Sequence, residues 1–223
     1  MRMRRKKHLG ERMEESKSAF LAVEGNDFYV SGGRDIKRIV DFKGVFGNDN
    51  PVHLELGCGK GQFIAEMAKK HSDVNFIAVE KLSNVVIVAA EKVEKLQLPN
   101  VKFLNISAEN LSLFIPEKGV EVIYLNFSCP FPKKTYANRR LTNPKFLNVY
   151  RKLLNDKGEI YLKTDNKDFF DYSIESLIEC GFILKNVCYD LHNSDYQGNV
   201  VTEYEQKFVD QGLPIYRLEA YIE

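Results

Sequence analysis

Short apolar runs alternate with amphipathic stretches along most of the chain after residue 50. Runs rich in β-branched and aromatic residues predict strands at VHLELG, NFIAVE, VKFLN, VEVIYLNF, GEIYLKT, ILKNVCYD and IYRLEAYI. Helical patterns lie between and after them, at GQFIAEMAKKH, SNVVIVAAEKVEKL, AENLSLFI, PKFLNVYRKLLN, KDFFDYSIESLIECG and TEYEQKFVDQG. Strands that alternate with helices form βαβ units. The pattern therefore predicts an α/β fold, a mainly parallel seven-stranded sheet with helices on both faces.

The first fifty residues differ from the rest of the chain. They are polar and weakly periodic, and we interpret residues 1–50 as a basic extension with one short helix. A chain of 223 residues with 44% hydrophobic content can bury one sizeable core. We therefore expect residues 51–223 to form a single globular domain.

The net charge of +1 conceals an uneven distribution of charge. The first twelve residues, MRMRRKKHLGER, carry six Arg or Lys and one Glu, and residues 122–155 carry seven Lys or Arg and no Asp or Glu. Such runs are often only solvated faces, but two of them favour a basic surface for an anionic partner.

The four cysteines form no C-x-x-C pair, so the sequence indicates neither a zinc site nor a disulfide framework. The N-terminal stretch has charge but no apolar core, and therefore does not resemble a secretory signal. No apolar run approaches the ~18 residues that span a bilayer. These features predict a reduced cytoplasmic protein without metal and without a membrane partner.

The segment HLELGCGKGQF places three glycines between the first strand and the first helix. Gly57, Gly59 and Gly61 allow the backbone to turn tightly and to approach a ligand. Glu55 opens the loop, and Glu80 ends the second strand, where a carboxylate can accept from ribose hydroxyls. Glu55 would repel a pyrophosphate but suits the cationic S-adenosylmethionine. The alternative is a helix-capping glycine loop with solvated acids.

The segment YLNFSCPFPKKTYANRR follows the fourth predicted strand. Phe131, between two prolines, offers a flat apolar surface on which a base can rest. Lys133, Lys134, Arg139 and Arg140 follow at a spacing suited to successive phosphates. A cofactor loop, a platform for a base and a phosphate-binding run together indicate a nucleic-acid methyltransferase.

The segment NFSCPFPKKTYANRR resembles the signature of the bacterial tRNA (guanine-N7-)-methyltransferase family, N-F-x-D-P-W-x-K-x-R-H-x-x-R-R. MRMRRK, FGNDNPVHLELGCGKGQF, YLKTDN, DLHNS and TEYEQKF with its following PIYR also resemble that family, in the same order. The resemblance implies a Rossmann-like class I methyltransferase fold with S-adenosylmethionine as cofactor. It also implies methylation of guanine N7 in the tRNA variable loop, at position 46.

The resemblance assigns roles by position. It implies cofactor contacts at Glu55, Gly57, Gly59, Gly61, Glu80, Ser107 and Cys129. It implies substrate contacts at Lys133, Asp165, Thr202, Glu203, Tyr204 and Glu205. Together with the basic runs, it implies RNA-backbone contacts at Lys134, Arg139, Arg140, Arg2, Arg4 and Arg5. Without the family, Asp165 would be interpreted as a helix cap and Glu203 and Glu205 as solvated acids of a first helical turn.

The sequence departs from the family where the reaction would occur. Cys129 replaces the aspartate often proposed as catalytic, Ser107 replaces the aspartate after the third strand, and Phe131 replaces tryptophan. The family's Arg-His pair is Thr135-Tyr136. Guanine N7 has a free lone pair, so its methylation needs no obligatory base. Losing one electrostatic group predicts an enzyme slower by ~10²–10³, with Cys129 at the catalytic position.

Two other interpretations of the sequence stay open. Cys129 would serve as the nucleophile of an RNA pyrimidine C5 methyltransferase, although those enzymes have Pro-Cys where this chain has Cys-Pro. The missing acids would also suit a protein of the same fold that binds tRNA but no longer catalyses methylation.

Overall fold

The computed structural model describes residues 7–21 and 39–223. Its strands are β1 (Val52–Leu56), β2 (Asn75–Val79), β3 (Val101–Leu104), β4 (Val120–Asn126), β5 (Leu154–Thr164), β6 (Ile183–Cys188) and β7 (Tyr216–Tyr221). Its α-helices are α1 (Leu9–Glu15), α2 (Phe42–Phe46), α3 (Gln62–Lys70), α4 (Ser83–Lys95), α5 (Pro144–Leu153), α6 (Lys167–Glu179) and α7 (Glu203–Val209). Short 3₁₀ helices span Lys17–Ala19, Ala108–Leu113, Lys134–Arg139 and Leu191–Asn193.

The seven strands have the order β3-β2-β1-β4-β5-β7-β6. β1, β2 and β3 pair in parallel, as do β4 and β5, whereas β7 runs antiparallel to both β5 and β6. This confirms the predicted α/β fold with a mainly parallel sheet. One predicted helix differs, because AENLSLFI forms a 3₁₀ helix that ends at Leu113. Pro116 follows closely, and a proline disfavours α conformation in the residue before it.

The chain divides into two compact units, Met1–Phe114 and Ile115–Glu223. The predicted boundary at residue 50 and the single domain over residues 51–223 stay predictions. In the first unit, helices α3 and α4 cover the three parallel strands. The core is apolar and includes the fully buried side chains of Leu54, Ile64, Phe76, Ile87 and Phe103.

Part of the predicted N-terminal extension is packed against the first unit. Arg12 of α1 donates two hydrogen bonds of 2.6 Å to the Glu91 carboxylate on α4. Ser16 donates to Glu94 on the same helix at 2.7 Å. Phe20 forms a parallel bridge with Phe103 of β3. The described part of the extension is therefore fixed along α4 and the β3 edge.

In the second unit, α5 and α6 supply the apolar residues that pack with the sheet. The buried side chains of this unit include Ile123, Leu125, Leu147, Tyr150, Ile160, Leu162, Phe169, Phe170, Leu177 and Leu218. Asn143 caps α5 and Asn166 caps α6, each accepting a backbone N–H of its own helix. No helix in the described ranges has the length and apolarity needed to cross a membrane.

His53 makes the stability of the first unit depend on pH. Burial in β1, followed by the nearby His71, lowers the pKa of His53 from 6.5 to about 4. At a pH between these two pKa values, His53 is protonated in the unfolded chain but neutral in the folded chain. The free energy of unfolding therefore falls as the pH falls through this window, by about 3 kcal/mol as an upper limit.

We predict that His53→Gln will flatten this dependence in urea unfolding curves recorded from pH 7 to pH 4. The exposed His8, paired with Glu11 at 2.8 Å, is the matched control, and His8→Gln is expected to keep the wild-type slope. An unchanged slope in His53→Gln would contradict the assignment.

Candidate functional site

The glycine loop of the first unit begins directly after β1. The backbone N–H groups of Gly57 and Cys58 both donate to the Val79 carbonyl, at 2.8 and 3.1 Å. These bonds attach the loop to the end of β2. Gly57 and Gly59 have φ values of 80° and 56°, in the left-handed region that glycine adopts without steric cost.

The three glycines of the loop have different surroundings. A Cβ at Gly57 or Gly59 would meet no atom within 4 Å, so the loop keeps open space above both residues. A Cβ at Gly61 would lie 2.6 Å from the Ala89 Cβ of α4. Gly57 and Gly59 therefore leave room for a ligand, whereas Gly61 permits close packing between α3 and α4.

Two acids lie around this loop, as the sequence predicts. Glu55 is buried in β1, with 3% of its surface exposed. Glu80 is half-buried after β2, and its Oε1 accepts the Leu82 backbone N–H at 2.9 Å. Burial and then the charges of Glu55 and Glu80 raise the pKa of the Cys58 thiol well above its usual value. The loop therefore combines negative charge with an inert thiol, and suits a cationic ligand.

Asn105, which follows β3, supports the strand ends of this site and was not identified from the sequence. Its Nδ2 donates to the Glu80 carbonyl at 2.7 Å, and its Oδ1 accepts the Ser83 hydroxyl at 2.7 Å. Asn105 therefore connects the ends of β2 and β3 to the start of α4, and holds the Glu80 backbone. Its position at the end of a predicted strand was the one feature of the sequence that could have indicated this role. Ser107, half-buried, precedes the next 3₁₀ helix.

The second unit brings the ends of β4 and β5 together. Asn126 and Lys163 are paired in the parallel register, and the Phe127 N–H donates to the Lys163 carbonyl at 2.8 Å. Cys129 lies three residues beyond β4 and is exposed, whereas Asp165 directly follows β5 and is half-buried. Both predicted site residues therefore lie at the carboxyl end of parallel strands, where ligands bind in sheets of this kind.

Tyr204, in the first turn of α7, belongs to the same cluster. Burial, followed by the charges of Asp165 and Cys129, raises the pKa of Tyr204. Its ring lies 5.2 Å from the Phe127 ring, and 47% of its surface remains exposed. The structure thus groups Cys129, Asp165 and Tyr204, with Phe127 beside them.

The alternative role of Asp165 as a helix cap is wrong. The cap of α6 is Asn166, whose Oδ1 accepts the Phe169 N–H at 2.8 Å. Helix capping therefore leaves the Asp165 carboxylate available for another partner.

Glu205 forms polar contacts with distant residues that the sequence did not indicate. Its side chain is fully buried, so the alternative of a solvated acid is wrong. Glu205 Oε2 accepts from Lys163 Nζ at 2.8 Å, and its Oε1 accepts from Asn199 Nδ2 at 2.7 Å and lies 3.0 Å from His192 Nε2. Glu205 and Thr202 also form a capping box at the start of α7.

The basic run after the Pro-Phe-Pro corner is largely exposed. Lys133, Lys134 and Arg139 all reach solvent, and the Arg139 guanidinium lies 4.8 Å from the Tyr136 ring centroid. Arg140 is only half-buried and bonds to the protein backbone. Some predicted contacts lie outside the described residues: the side chain of Glu203 and Arg2, Arg4 and Arg5. Within the described ranges, no three His, Cys, Asp or Glu side chains group closely enough to hold a metal ion.

Comparisons with known proteins identify the family. A family model described as a putative methyltransferase matches residues 49–218. A tRNA (guanine-N(7)-)-methyltransferase of Bacillus licheniformis is 52% identical over 176 residues, which cover 79% of this chain and 83% of the relative. The protein of that name from Listeria monocytogenes is 49% identical over 189 residues, covering 83% and 88%. The chain belongs to the tRNA (guanine-N7-)-methyltransferase family.

Solved structures agree with this family's expected fold. The 16S rRNA methyltransferase KamB is similar with a TM-score of 0.61 and 14% identity, covering 82% of this chain and 92% of that one. A SAM-dependent methyltransferase from Aquifex aeolicus has a TM-score of 0.56 and 17% identity, covering 80% and 86%. At such low identity these likenesses concern the fold alone, and they confirm the Rossmann-like methyltransferase architecture.

The glycine loop of this methyltransferase fits S-adenosylmethionine. The space above Gly57 and Gly59 admits a ligand that a Cβ would obstruct. The buried Glu55 and the half-buried Glu80 offer negative charge to the sulfonium and ammonium groups of this ligand. S-adenosylmethionine has no phosphate, so its binding requires no phosphate-binding side chain.

We predict that Gly59→Ala weakens S-adenosylhomocysteine binding at least tenfold in titration calorimetry, because its methyl group enters the ligand space. Gly212→Ala is the control, since Gly212 also has a left-handed φ (66°) and open surroundings. Both substitutions carry the same backbone strain, of about 1–2 kcal/mol. Equal affinities in the two variants would show that the loop does not contact the cofactor.

We predict that Glu205→Gln lowers the free energy of unfolding by about 3–5 kcal/mol, because it leaves the buried Lys163 ammonium without its carboxylate. Asp171→Asn is the matched control, because the Lys167–Asp171 pair is exposed at 2.6 Å and should lose less than about 1 kcal/mol. Denaturant unfolding at pH 7 measures both. Similar small losses would mean that the Lys163–Glu205 pair is not a buried support.

Proposed function

We propose that this protein transfers a methyl group from S-adenosylmethionine to N7 of a guanine in the tRNA variable loop, at position 46. The observation that carries the proposal is the family match over residues 49–218, which includes both strand-end corners described above. The relatives of about 50% identity bear the name of this reaction. The buried acid at the open glycine loop and the Cys129, Asp165 and Tyr204 cluster support it independently.

The residues that would hold the cofactor, apart from Cys129, are those of the first unit. Glu55, Gly57, Gly59, Glu80 and Ser107 lie at the carboxyl ends of β1, β2 and β3. S-adenosylmethionine supplies an electrophilic methyl group on a positively charged sulfur. Glu55 and Glu80 favour that charge, and the two open glycines allow close approach of the ligand to the backbone. Gly61 contributes by keeping α3 close to α4.

The second unit offers groups suited to a guanine. The Asp165 carboxylate can accept the N1 and N2 hydrogens of the base, and the exposed Tyr204 ring offers an aromatic face. Cys129, at the family's aspartate position, is exposed beside them. We assign Thr202 and Glu205 to holding α7 in place, because their polar atoms are already used within the protein.

The reaction needs positioning more than it needs acid–base chemistry. The N7 lone pair forms the new bond to the methyl carbon while the sulfur–carbon bond breaks and its electron pair stays on sulfur. The positive charge passes to the purine, and no proton has to be removed. Orientation alone can contribute on the order of 7–11 kcal/mol to such a step. Cys129 stands where the family has an aspartate, so the carboxylate that would stabilise the purine cation is missing from this position.

The exposed cations beside the corner suit the tRNA backbone. Lys133, Lys134 and Arg139 project from the 3₁₀ segment that follows Pro132, and Tyr136 accompanies them. Phosphate contacts of this kind give affinity without sequence recognition. Contacts by Arg2, Arg4 and Arg5 stay a prediction, as does location in the cytoplasm, where tRNA is modified.

The deciding experiment combines purified protein, labelled S-adenosylmethionine and an unmodified tRNA, with the methylated nucleoside identified by mass spectrometry. We expect 7-methylguanosine, and we expect none from the same tRNA carrying 7-deazaguanosine at position 46. Tight tRNA binding without methyl incorporation would instead favour the inactive binding module. A covalent adduct with 5-fluoropyrimidine RNA would favour the pyrimidine C5 alternative.

We predict that Cys129→Asp preserves or raises the methylation rate, because it restores a charge that stabilises the purine as it becomes cationic. The isosteric Cys129→Ser, which stays neutral, is expected to remain within a fewfold of the wild type. Single-turnover rates at saturating tRNA measure both effects. A loss of more than tenfold in Cys129→Asp would give the thiol a role of its own.

A further inference from the structure

The adjacent arginines of the basic run have different surroundings. The sequence predicts that Arg139 and Arg140 both contact RNA phosphates. Arg139 is exposed and lies over the ring of Tyr136, itself 42% exposed. Arg140 is half-buried, and its guanidinium is directed at the protein.

The Arg140 guanidinium makes three contacts in the second unit. Its Nε donates to the Pro130 carbonyl at 2.9 Å, and its Nη2 donates to the Phe131 carbonyl at 3.1 Å. Its Cζ lies 4.3 Å from the centroid of the Tyr172 ring on α6. Asn143 donates to the Tyr172 hydroxyl at 3.2 Å and also caps α5. A planar guanidinium can donate in a fork and stack at the same time, which a lysine ammonium cannot do.

The Pro-Phe-Pro corner cannot hold its shape through a full set of backbone hydrogen bonds. Pro130 and Pro132 have no N–H to donate, so two of its three residues offer only carbonyls. Phe131 has a φ of 41°, a conformation that is unfavourable for a residue with a Cβ. Backbone in such a region persists where its surroundings fix it. Arg140 supplies that fixation, and Cys129 is the residue directly before the corner.

We infer that Arg140 is a positioning residue, which clamps the Pro130–Pro132 corner against α6 and so places Cys129, instead of binding RNA phosphate. The inference rests on the proposed function for its effect on the rate of methylation. The clamp itself rests only on contacts within the second unit.

The kinetic test compares lysine and alanine substitutions at the two arginines. Arg140→Lys keeps the charge but not the fork, and we expect kcat to fall at least tenfold with tRNA Kd within twofold. A misplacement of about 1 Å can cost ~10²-fold in rate. Arg139→Ala is expected to weaken tRNA binding and to lower the slope of log Kd against log salt by about one contact, with partial rescue by Arg139→Lys.

A second measurement needs neither RNA nor turnover. The rate of alkylation of Cys129 reports the state of the corner, in a background where the half-buried Cys180 and Cys188 are serine and Cys58 is buried. We expect Arg140→Lys to change this rate severalfold and Arg139→Lys to leave it unchanged. If Arg140→Lys folds poorly, Tyr172→Leu replaces it, because this variant removes the stacking partner of Arg140 without altering charge. We expect Tyr172→Leu also to change the alkylation rate of Cys129 severalfold.

The outcomes separate the inference from the proposed function. A wild-type protein without methylation would overturn the function, while the alkylation rates would still test the clamp. Wild-type kcat and alkylation rates in Arg140→Lys would overturn the inference. A salt slope lowered equally by Arg140→Ala and Arg139→Ala would also overturn it, because that result assigns Arg140 to phosphate.

Discussion

The Lys163 ammonium is buried in the second unit, and the Glu205 carboxylate compensates its positive charge. The ammonium donates to Glu205, to the Asn199 side chain and to the Val200 carbonyl, all within 3.0 Å. Desolvating either charge alone is costly, so the pair forms only when the segment from Asn199 to Glu205 lies against β5. That segment leads directly into α7, where Tyr204 precedes Glu205. The placement of Tyr204 beside Asp165 therefore depends on this pair.

Much of the fold follows from local sequence patterns, and so do the corners of the site. Strands and helices were predictable because apolar periodicity follows secondary structure, and parallel strands bring their ends to one edge. For the same reason Glu55, Glu80, Cys129 and Asp165 could be assigned to strand ends. The capping box of Thr202 and Glu205 follows a local pattern, but the buried pairing of Glu205 with Lys163 was not predictable, because the two residues are 42 positions apart. Asn105 and Arg140 likewise act through tertiary contacts, which no local pattern encodes.

The two thiols next to predicted ligand sites show how surroundings determine chemistry. Cys58 is buried between glycines, and burial and two nearby carboxylates raise its pKa, so it remains a small neutral side chain. Cys129 is exposed after β4 and lies near Tyr204 and Asp165. Sequence alone shows only that both are cysteines beside glycine or proline. The structure separates them by solvent access, since Cys58 is buried and Cys129 is exposed.

The contact between Gly61 and Ala89 has a consequence for how this family can diverge. Gly61 precedes α3, and a Cβ there would lie 2.6 Å from the Ala89 Cβ of α4, so position 61 cannot carry a side chain while Ala89 stays where it is. Because Gly61 also has a φ of 72°, a smaller residue at position 89 would not by itself allow a side chain at position 61. A larger residue at position 89 would press on Gly61 from α4, so a substitution on a packed helix would reach the glycine loop through this one contact.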